Sequence, residues 1–495
     1  MNNCCDLLVV GGGINGAGIA RDAAGRGLSV ILVEKDDLAA HTSSASSKLI
    51  HGGLRYLEHF HFKLVRESLT ERERLLRAAP HIVRPLEFVL PLGPGTRPAW
   101  MIRAGLFLYE HLGPRSLLPR SHAIRPDADG RGQRLQPGCA KALVYWDARV
   151  QDSRLVVATA IDAAEHGAAI LTRTELLEAH PDASRWAVRL RGPEGERSLM
   201  ASALVNAAGP WVSQLLERID GAQRRRKVRL VKGSHIVVPR LYTGEHAFVL
   251  QNRDRRVVFA IPFESEFTLL GTTDVEWTGP PGVPAISDDE IEYLLETIGH
   301  YFAAAPSRGE IAWSYSGIRA LVDDGASDPS KVTRDYLLEL DAPAGRPPLL
   351  SVFGGKITTY RRLAEQAVDR LARWFPAARG AWTQQATLPG GEIPELDLER
   401  YSADLVGMHE GLPPELLARF ARTYGSRTER LLDGVPELRD LGEHFGAGLY
   451  AREVDYLAAN EWARTAEDVL FRRTKLGLHL SNEGAARLSA YMGAN

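Results

Sequence analysis

Cysteine is scarce in this sequence: three residues in 495, Cys4, Cys5 and Cys139. They form no metal-ligand spacing, and adjacent Cys4 and Cys5 are poorly placed to pair. A disulfide scaffold is therefore excluded, and a reduced, cytosol-facing chain is expected. No apolar run reaches the ~20 residues that a membrane-crossing helix needs. The first residues lead almost directly into an apolar strand, with no basic segment and apolar stretch before it, so no signal peptide is expected. Neither charge dominates: 60 Lys and Arg against 62 Asp and Glu give a net charge of −2. That balance argues against a nucleic-acid binder and leaves room for a local basic patch. Internal repeats and low-complexity tracts are missing as well. What remains is an ordinary globular composition, 44% hydrophobic and 25% charged. The length is too great for one core, so two or three domains are expected.

The most informative stretch comes first. Leu7 to Val10 reads as a buried strand, Gly11, Gly13 and Gly16 as a G-x-G-x-x-G turn, and Ala17 to Gly25 as a helix. Ser29 to Val33 reads as a second buried strand, ending on the carboxylate of Glu34. Gly11 permits the tight turn, Gly13 lets the backbone approach a pyrophosphate, and Gly16 lets helix and strand pack closely. The helix N-terminus offers unpaired N–H groups to phosphates. Glu34 lies about 20 residues past the glycines, where a carboxylate accepts ribose hydroxyls. Strand, glycines, helix, strand and acid in this order predict a dinucleotide site.

Downstream, the hydroxyl-rich segment His41 to Lys48 reads either as a solvated loop or as donors to phosphate or a polar ring. Gly52 and Gly53 then deliver Arg55 and Tyr56. Lys63 to Arg77 reads as an amphipathic helix with a solvated charged face. In the stretch from Arg97 to Leu112, Trp100, Met101, Ala104, Leu108 and Leu112 fall near helical spacing beside Phe107. Arg97, Arg103, Arg115 and Arg120 surround them, which suits either a membrane surface or a core-facing helix. Tyr145 to Gly167 reads as a loop and a helix. Leu199 to Trp211 reads as a strand running into a second glycine turn, and Leu349 to Arg361 as strand, glycine turn and helix. Between them, from position 227 to Asp274, short β-branched and aromatic runs predict a mainly antiparallel substrate domain. Past Leu388 the pattern is helical almost throughout, with Trp462 to His479, including Arg472 and Arg473, in a domain of no evident chemistry.

Three glycine turns behind apolar strands, near positions 12, 208 and 354, favour a long cofactor. FAD lying across the sheet fits, whereas a purely NAD-dependent enzyme needs only the first turn. A helix N-terminus after Gly354 and Gly355 would stabilise negative charge on a reduced flavin. Arg55, Arg319 and Lys356 each follow a glycine; singly each reads equally well as an ion-pair partner. Together they suit a dianionic substrate, since guanidinium forks match phosphate oxygens. His235 is the leading base candidate, its ordinary pKa lying near neutrality, against a purely structural role at a strand start.

Five motifs carry a resemblance. They are Gly11-Gly-Gly-Ile-Asn-Gly-Ala-Gly18, Thr42-Ser-Ser-Ala-Ser-Ser-Lys-Leu-Ile-His-Gly-Gly-Leu-Arg-Tyr56, Lys232-Gly-Ser-His235, Gly271-Thr-Thr-Asp274 and Ser351-Val-Phe-Gly-Gly-Lys-Ile-Thr-Thr-Tyr-Arg361. With Ala421-Arg-Thr-Tyr-Gly-Ser426 and Arg472-Arg-Thr-Lys475, the chain closely resembles the FAD-dependent, membrane-associated glycerol-3-phosphate dehydrogenases over nearly its whole length. The fold this implies is α/β: an FAD-binding doubly wound (Rossmann-like) domain, an interleaved antiparallel-sheet substrate domain and an α-helical C-terminal domain. The expected segments are 1–80, 151–225 and 346–385 for FAD binding, 81–150 and 226–345 for the substrate domain, and 386–495 for the helical domain.

The resemblance implies oxidation of sn-glycerol 3-phosphate to dihydroxyacetone phosphate, with electrons passed to a membrane quinone. It maps Arg55, Tyr56, His235, Arg319 and Lys356 onto the family's substrate site. Gly11, Gly13, Gly16, Glu34, Lys35, Thr42, Ser47, Gly209, Gly355 and Thr358 map onto its FAD site. No metal is expected. A cytoplasmic chain held peripherally on the inner face of the cell membrane follows, with the oligomeric state open, a homodimer included. Competing readings are a glycerol-3-phosphate oxidase using oxygen, an amine or amino-acid oxidase of the same fold, and a flavin-binding protein without turnover.

Overall fold

The opening strand, Cys4–Val10, is the centre of the first sheet in a computed structural model that describes residues 3–93, 96–137, 139–223, 226, 228–252, 254, 256–322 and 335–494. Positions 323–334, within the segment assigned to the substrate domain, lie outside the described residues. The sheet runs in the order Leu337–Asp341, Leu349–Phe353, Gly195–Asn206, Cys4–Val10, Val30–Val33, Ala169–Leu171, with all neighbours parallel except the first pair. Leu7 and Val9 point into one apolar core, and Leu8 and Val10 into another on the opposite face. A strand covered on both sides has no polar face to present, which is why its sequence is a continuous apolar run. The helices Ile14–Gly25, Asp152–Glu165 and Tyr360–Leu371 contribute to the first of these cores.

A second sheet lies beyond it. Its strands Val228–Pro239, Phe267–Gly271, Val257–Phe263 and Ala247–Gln251 are joined by two from much earlier in the chain, Val83–Leu92 and Lys141–Val150. Trp313–Val322 pairs along Val228–Pro239 from the other side. The chain therefore leaves the first sheet, builds part of the second, returns and leaves again. After position 390 it forms a separate core of mostly helical segments around Leu417, Phe420, Leu457 and Val469, with one small hairpin, His444–Gly446 with Leu449–Tyr450.

Three local expectations need correction. Tyr145 to Val150 is strand, not loop: it pairs in register with Val83 to Phe88, and Val144, Ala148 and Val150 are buried. The helix Phe62–Ala78 is not merely a solvated face, since Glu71, Arg72 and Glu73 are all buried. Arg72 meets Asp147 at 2.6 Å and Arg361 meets Glu71 at 2.6 Å, so these charges are sequestered as pairs. Arg472 and Arg473 are likewise not idle. Both guanidinium groups reach Asp37 at 2.8 Å, so the C-terminal domain grips the chain three residues past Glu34.

The junction between the two large bodies holds His81, which is 1% exposed and lies against Gly390 and Gly425. Burial, reinforced by Arg154 and Arg84, pushes its pKa down to about 3, so the folded protein keeps it neutral. The unfolded chain binds a proton there below pH ~6.5, and the folded chain does not until about pH 3. Stability contributed by neutral His81 is therefore lost as pH falls through that window, by about 1.4 kcal/mol per pH unit. In urea titrations between pH 7 and pH 5, wild-type stability should fall more steeply than that of His81→Gln, by one proton's worth of slope. Equal slopes would show that His81 is protonated in the fold.

Candidate active site

The first glycine turn is closed to any side chain. A Cβ on Gly16 would lie 1.9 Å from the Gly11 carbonyl oxygen, and one on Gly11, at φ +117°, would lie 2.5 Å from the Ala207 carbonyl oxygen. The second turn thus packs directly on the first. The third reaches it from the other side: Asn15 donates to the Gly354 carbonyl at 3.2 Å, and a Cβ on Gly355 would meet the same Asn15 amide at 3.0 Å. Asn15 Oδ1 is buried there with no hydrogen-bond partner. A buried amide oxygen left over at the meeting point of three glycine turns is what a cofactor with its own donors would satisfy. The helix Ile14–Gly25 is capped by Gly13, which has no side chain to offer, and Ser43 Oγ accepts the Ile14 N–H at 3.0 Å.

Glu34 accepts from the Gly12 N–H at 2.6 Å and the Asp36 N–H at 2.9 Å. Burial pushes its pKa up, and those two backbone donors oppose the rise. This places a fixed carboxylate beside the turn, where a ribose would lie. The Glu34 carboxylate, the unpartnered Asn15 Oδ1 and a first glycine turn closed to Cβ atoms fit FAD. Lys35 lies 4.0 Å over the Trp211 ring, just past Gly209, and the buried Thr358 hydroxyl receives the His51 N–H at 3.4 Å.

The hydroxyl-rich segment is half-buried and its Thr42, Ser43, Ser46 and Ser47 hydroxyls are bound to protein groups, so it is not a freely solvated loop. Thr42 Oγ1 donates to the Ile318 carbonyl at 2.6 Å, fastening the segment beside Arg319. Ser47 Oγ lies 2.9 Å from His235 Nε2. His235 is 1% exposed and stacks on Tyr315, ring centroids 4.9 Å apart and planes 17° from parallel. Its ring is admitted only because residue 271 is glycine, whose Cβ would sit 2.1 Å from the imidazole. Burial first, then Arg319 and Lys48, hold the His235 pKa well below its ordinary value, with Asp274 opposing them. The imidazole is therefore neutral at physiological pH, as a base must be.

Arg319 and His235 share a sheet face: Val231 pairs with Arg319 and His235 with Tyr315. The Arg319 guanidinium folds over Gly233, where a Cβ would be 2.6 Å away, and it pairs with Asp274 and donates to Thr272 at 3.3 Å. Lys356 lies 3.9 Å over the Tyr56 ring, so those two candidates meet, with Arg55 one residue before, half-buried in the 3-10 turn Leu54–His59. The turn at Gly354 backs against Ala320, the residue after Arg319. Two participants had no role in the sequence reading, Asp274, present only as the end of a motif, and Glu290. Asp274 pairs with Arg319. Glu290 reaches from the helix Asp288–Tyr301 to Lys232, Ser234 and Thr273 at 2.8, 2.8 and 2.7 Å. Burial pushes the Glu290 pKa up, but Lys232 and the other donors hold it below the usual range. It therefore anchors the strand on both sides of Gly233 as an ionised group.

A family model described as FAD dependent oxidoreductase matches residues 6–361, and one described as the C-terminal domain of alpha-glycerophosphate oxidase matches residues 381–493. The chain is 54% identical over 488 residues to a glycerol-3-phosphate dehydrogenase of Pseudomonas aeruginosa, covering 98% of this chain and 94% of that one. It is 49% identical over 494 residues to a D-erythritol 1-phosphate dehydrogenase of Brucella abortus, covering 99% and 98%. The crystal structure of a Bacillus halodurans glycerol-3-phosphate dehydrogenase complexed with FAD matches with a TM-score of 0.76 at 25% identity, covering 100% of this chain and 94% of that one.

Proposed function

The chain belongs to the FAD-dependent glycerol-3-phosphate dehydrogenase family, and from that membership we propose that it oxidises sn-glycerol 3-phosphate to dihydroxyacetone phosphate. The observation that carries this reading is the shared face of His235 and Arg319. The guanidinium over Gly233 lies two residues along the strand from His235, roughly 7 Å, the reach of a three-carbon phosphate ester held between them. Arg319, with Arg55 and Lys356, binds the phosphate. Neutral His235 takes the C2 hydroxyl proton, while the hydrogen on C2 leaves with both electrons of the C–H bond and the carbonyl forms. Ser47 Oγ lies 2.9 Å from Nε2, the ring nitrogen assigned to the substrate hydroxyl. The three turns and Glu34 would hold FAD, which would supply the two-electron acceptor. Neutralising the phosphate alone would only tighten binding; rate comes from orienting C2 and its hydroxyl.

Anaerobic addition of glycerol 3-phosphate to the yellow purified protein should bleach it. D-Erythritol 1-phosphate, a four-carbon analogue by the name of one relative, is the competitor to measure beside it, and glycerol 3-phosphate should show the higher kcat/KM. No bleaching by either would remove the reading, and turnover of sarcosine or glycine would replace it with an amine oxidase.

The finer part of the proposal is that electrons pass to quinone at a membrane surface on the inner face of the cell membrane. No helix of the described residues is long and apolar enough to cross a membrane. The helix Ala99–Leu112 is two-faced instead. Ile102, Leu106 and Tyr109 turn inward, and Tyr109 accepts the Gly52 N–H at 2.7 Å. Trp100 and Phe107 are 72% and 60% exposed, with Met101 and Leu108 also outward and Phe60 and Leu117 exposed on neighbouring segments. Exposed large apolar groups with Arg103, Arg115 and Arg120 suit an interface of acyl chains and anionic headgroups. Met101→Glu/Phe107→Glu should abolish flotation with liposomes while keeping bleaching by glycerol 3-phosphate. Unchanged flotation would place the membrane contact elsewhere, and hydrogen peroxide in place of reduced quinone would assign oxygen as the acceptor.

A further inference from the structure

The site reading above leaves one buried ion pair beside His235 without a role. Asp152 is 0% exposed at the start of the helix Asp152–Glu165, and Lys48 is 5% exposed at the end of the hydroxyl-rich segment. Lys48 Nζ donates to the two Asp152 oxygens at 3.0 and 2.9 Å and to the Ser44 carbonyl at 2.9 Å. The same carboxylate accepts from the Ser46 hydroxyl at 2.8 Å, the Ser46 N–H at 3.3 Å and the Ser153 N–H at 2.9 Å. One buried carboxylate thus fixes the loop at Ser46 and Lys48, the residues on either side of Ser47.

The contacts close into a ring. Lys48 Nζ lies 4.8 Å over the Tyr315 ring, and the Tyr315 hydroxyl donates to the Ser46 carbonyl at 2.8 Å. Tyr315 stacks on His235, and His235 Nε2 meets Ser47 Oγ, one residue before Lys48. We propose that Lys48, locked by Asp152, is a positioning residue for the base His235, fixing the ring it stacks on and the hydroxyl it faces. This inference rests on the reading of His235 as the base.

A purely structural pair would do no more than hold the loop. Lys48 also brings a charge that, although paired with Asp152, opposes protonation of His235. The charged groups facing His235 are Lys48 from the loop, Arg319 from the paired strand and Asp274 from the turn after Phe267–Gly271, with Asp152 behind Lys48. Two cations against one near anion favour the neutral imidazole. Removing the loop cation should make His235 easier to protonate, whereas replacing it with another cation should not.

The test is an imidazole NMR titration of the FAD-loaded protein, with His235 assigned by its loss in His235→Asn, beside single-turnover flavin reduction across pH. Lys48→Met should raise the His235 midpoint by about one pH unit, move the acid limb of flavin reduction up with it, and slow reduction about tenfold at neutral pH. Lys48→Arg should restore the wild-type profile. If Lys48→Met does not fold, Lys48→Gln, which removes the same charge and keeps a hydrogen-bond donor to Asp152, should show the same upward shift. A His235 midpoint and rate profile that match wild type, in a variant that retains FAD, would overturn the proposal. The titration reads His235 directly and needs no turnover, so it stands apart from the test of the activity itself: wild-type protein that glycerol 3-phosphate fails to bleach would sink the function, not the ring of contacts.

Discussion

His235→Asn should slow flavin reduction by glycerol 3-phosphate by about 10²–10⁴-fold, the usual contribution of a positioned general base. FAD content and thermal stability should stay close to wild type. Asn can still hydrogen-bond Ser47, and it fills part of the space that Gly271 leaves open against the imidazole. What it cannot do is take a proton. The wild-type pH profile carries a second expectation with a definite sign. Burial and the Arg319 and Lys48 charges hold the His235 pKa well below 6.5, so the imidazole remains a competent base on the acid side of its ordinary midpoint. Flavin reduction should therefore lose little as pH falls from 7.5 to 6. Stopped-flow single turnovers under anaerobic conditions measure both. A wild-type rate and pH profile in the Asn variant would move the base to another residue, with Tyr315 or Lys356 next to be replaced.

How much of this was legible in the residues differs from element to element. The glycine turn at position 11 could be read because its requirement is local: a positive φ and a backbone contact that excludes Cβ leave a composition signature. At Gly209 and Gly355 only the positive φ, +54° and +100°, makes the demand, since no backbone atom there excludes a Cβ. The strand Lys141–Val150 was not read at all, since Tyr145-Trp-Asp-Ala-Arg carries charge where a strand signal wants alternation. Its register comes from Val83–Leu92, some 60 residues earlier in the chain. Asp152 and Lys48 show the other limit. An acid at a helix start reads as a capping residue, and a lysine after four serines reads as solvated. Only the fold reveals that the two are buried against each other. Arg472 and Arg473 were invisible as clamps for the same reason, their partner Asp37 lying 435 residues away. What a sequence of this kind shows is chemistry needing a fixed local spacing; chemistry assembled across domains waits for coordinates.

Arg319→Ala should raise the KM for glycerol 3-phosphate by about 10²-fold or more, with a smaller loss in kcat. Cutting one partner from a largely buried, hydrogen-bonded charge pair costs roughly 2–5 kcal/mol, and the 24% exposure of this side chain places it toward the lower end. Two effects add here. The phosphate loses its guanidinium fork, and the Asp274 carboxylate, 8% exposed, loses the cation facing it and turns its charge on the incoming dianion. The second effect separates this geometry from a simple missing contact. Asp274→Asn in the Arg319→Ala background should recover about tenfold of the lost affinity, since it removes the repulsion without restoring the fork. Asp274→Asn alone should bind substrate at least as tightly as wild type, because Arg319 no longer has to be shared. Arg319→Lys should fall between wild type and alanine, keeping the charge but not the planar two-point match to phosphate oxygens. Steady-state KM and the binding of dihydroxyacetone phosphate by calorimetry measure the series. An unaltered KM in Arg319→Ala would take Arg319 out of the phosphate site, and no recovery in the double variant would show that Asp274 does not face the substrate.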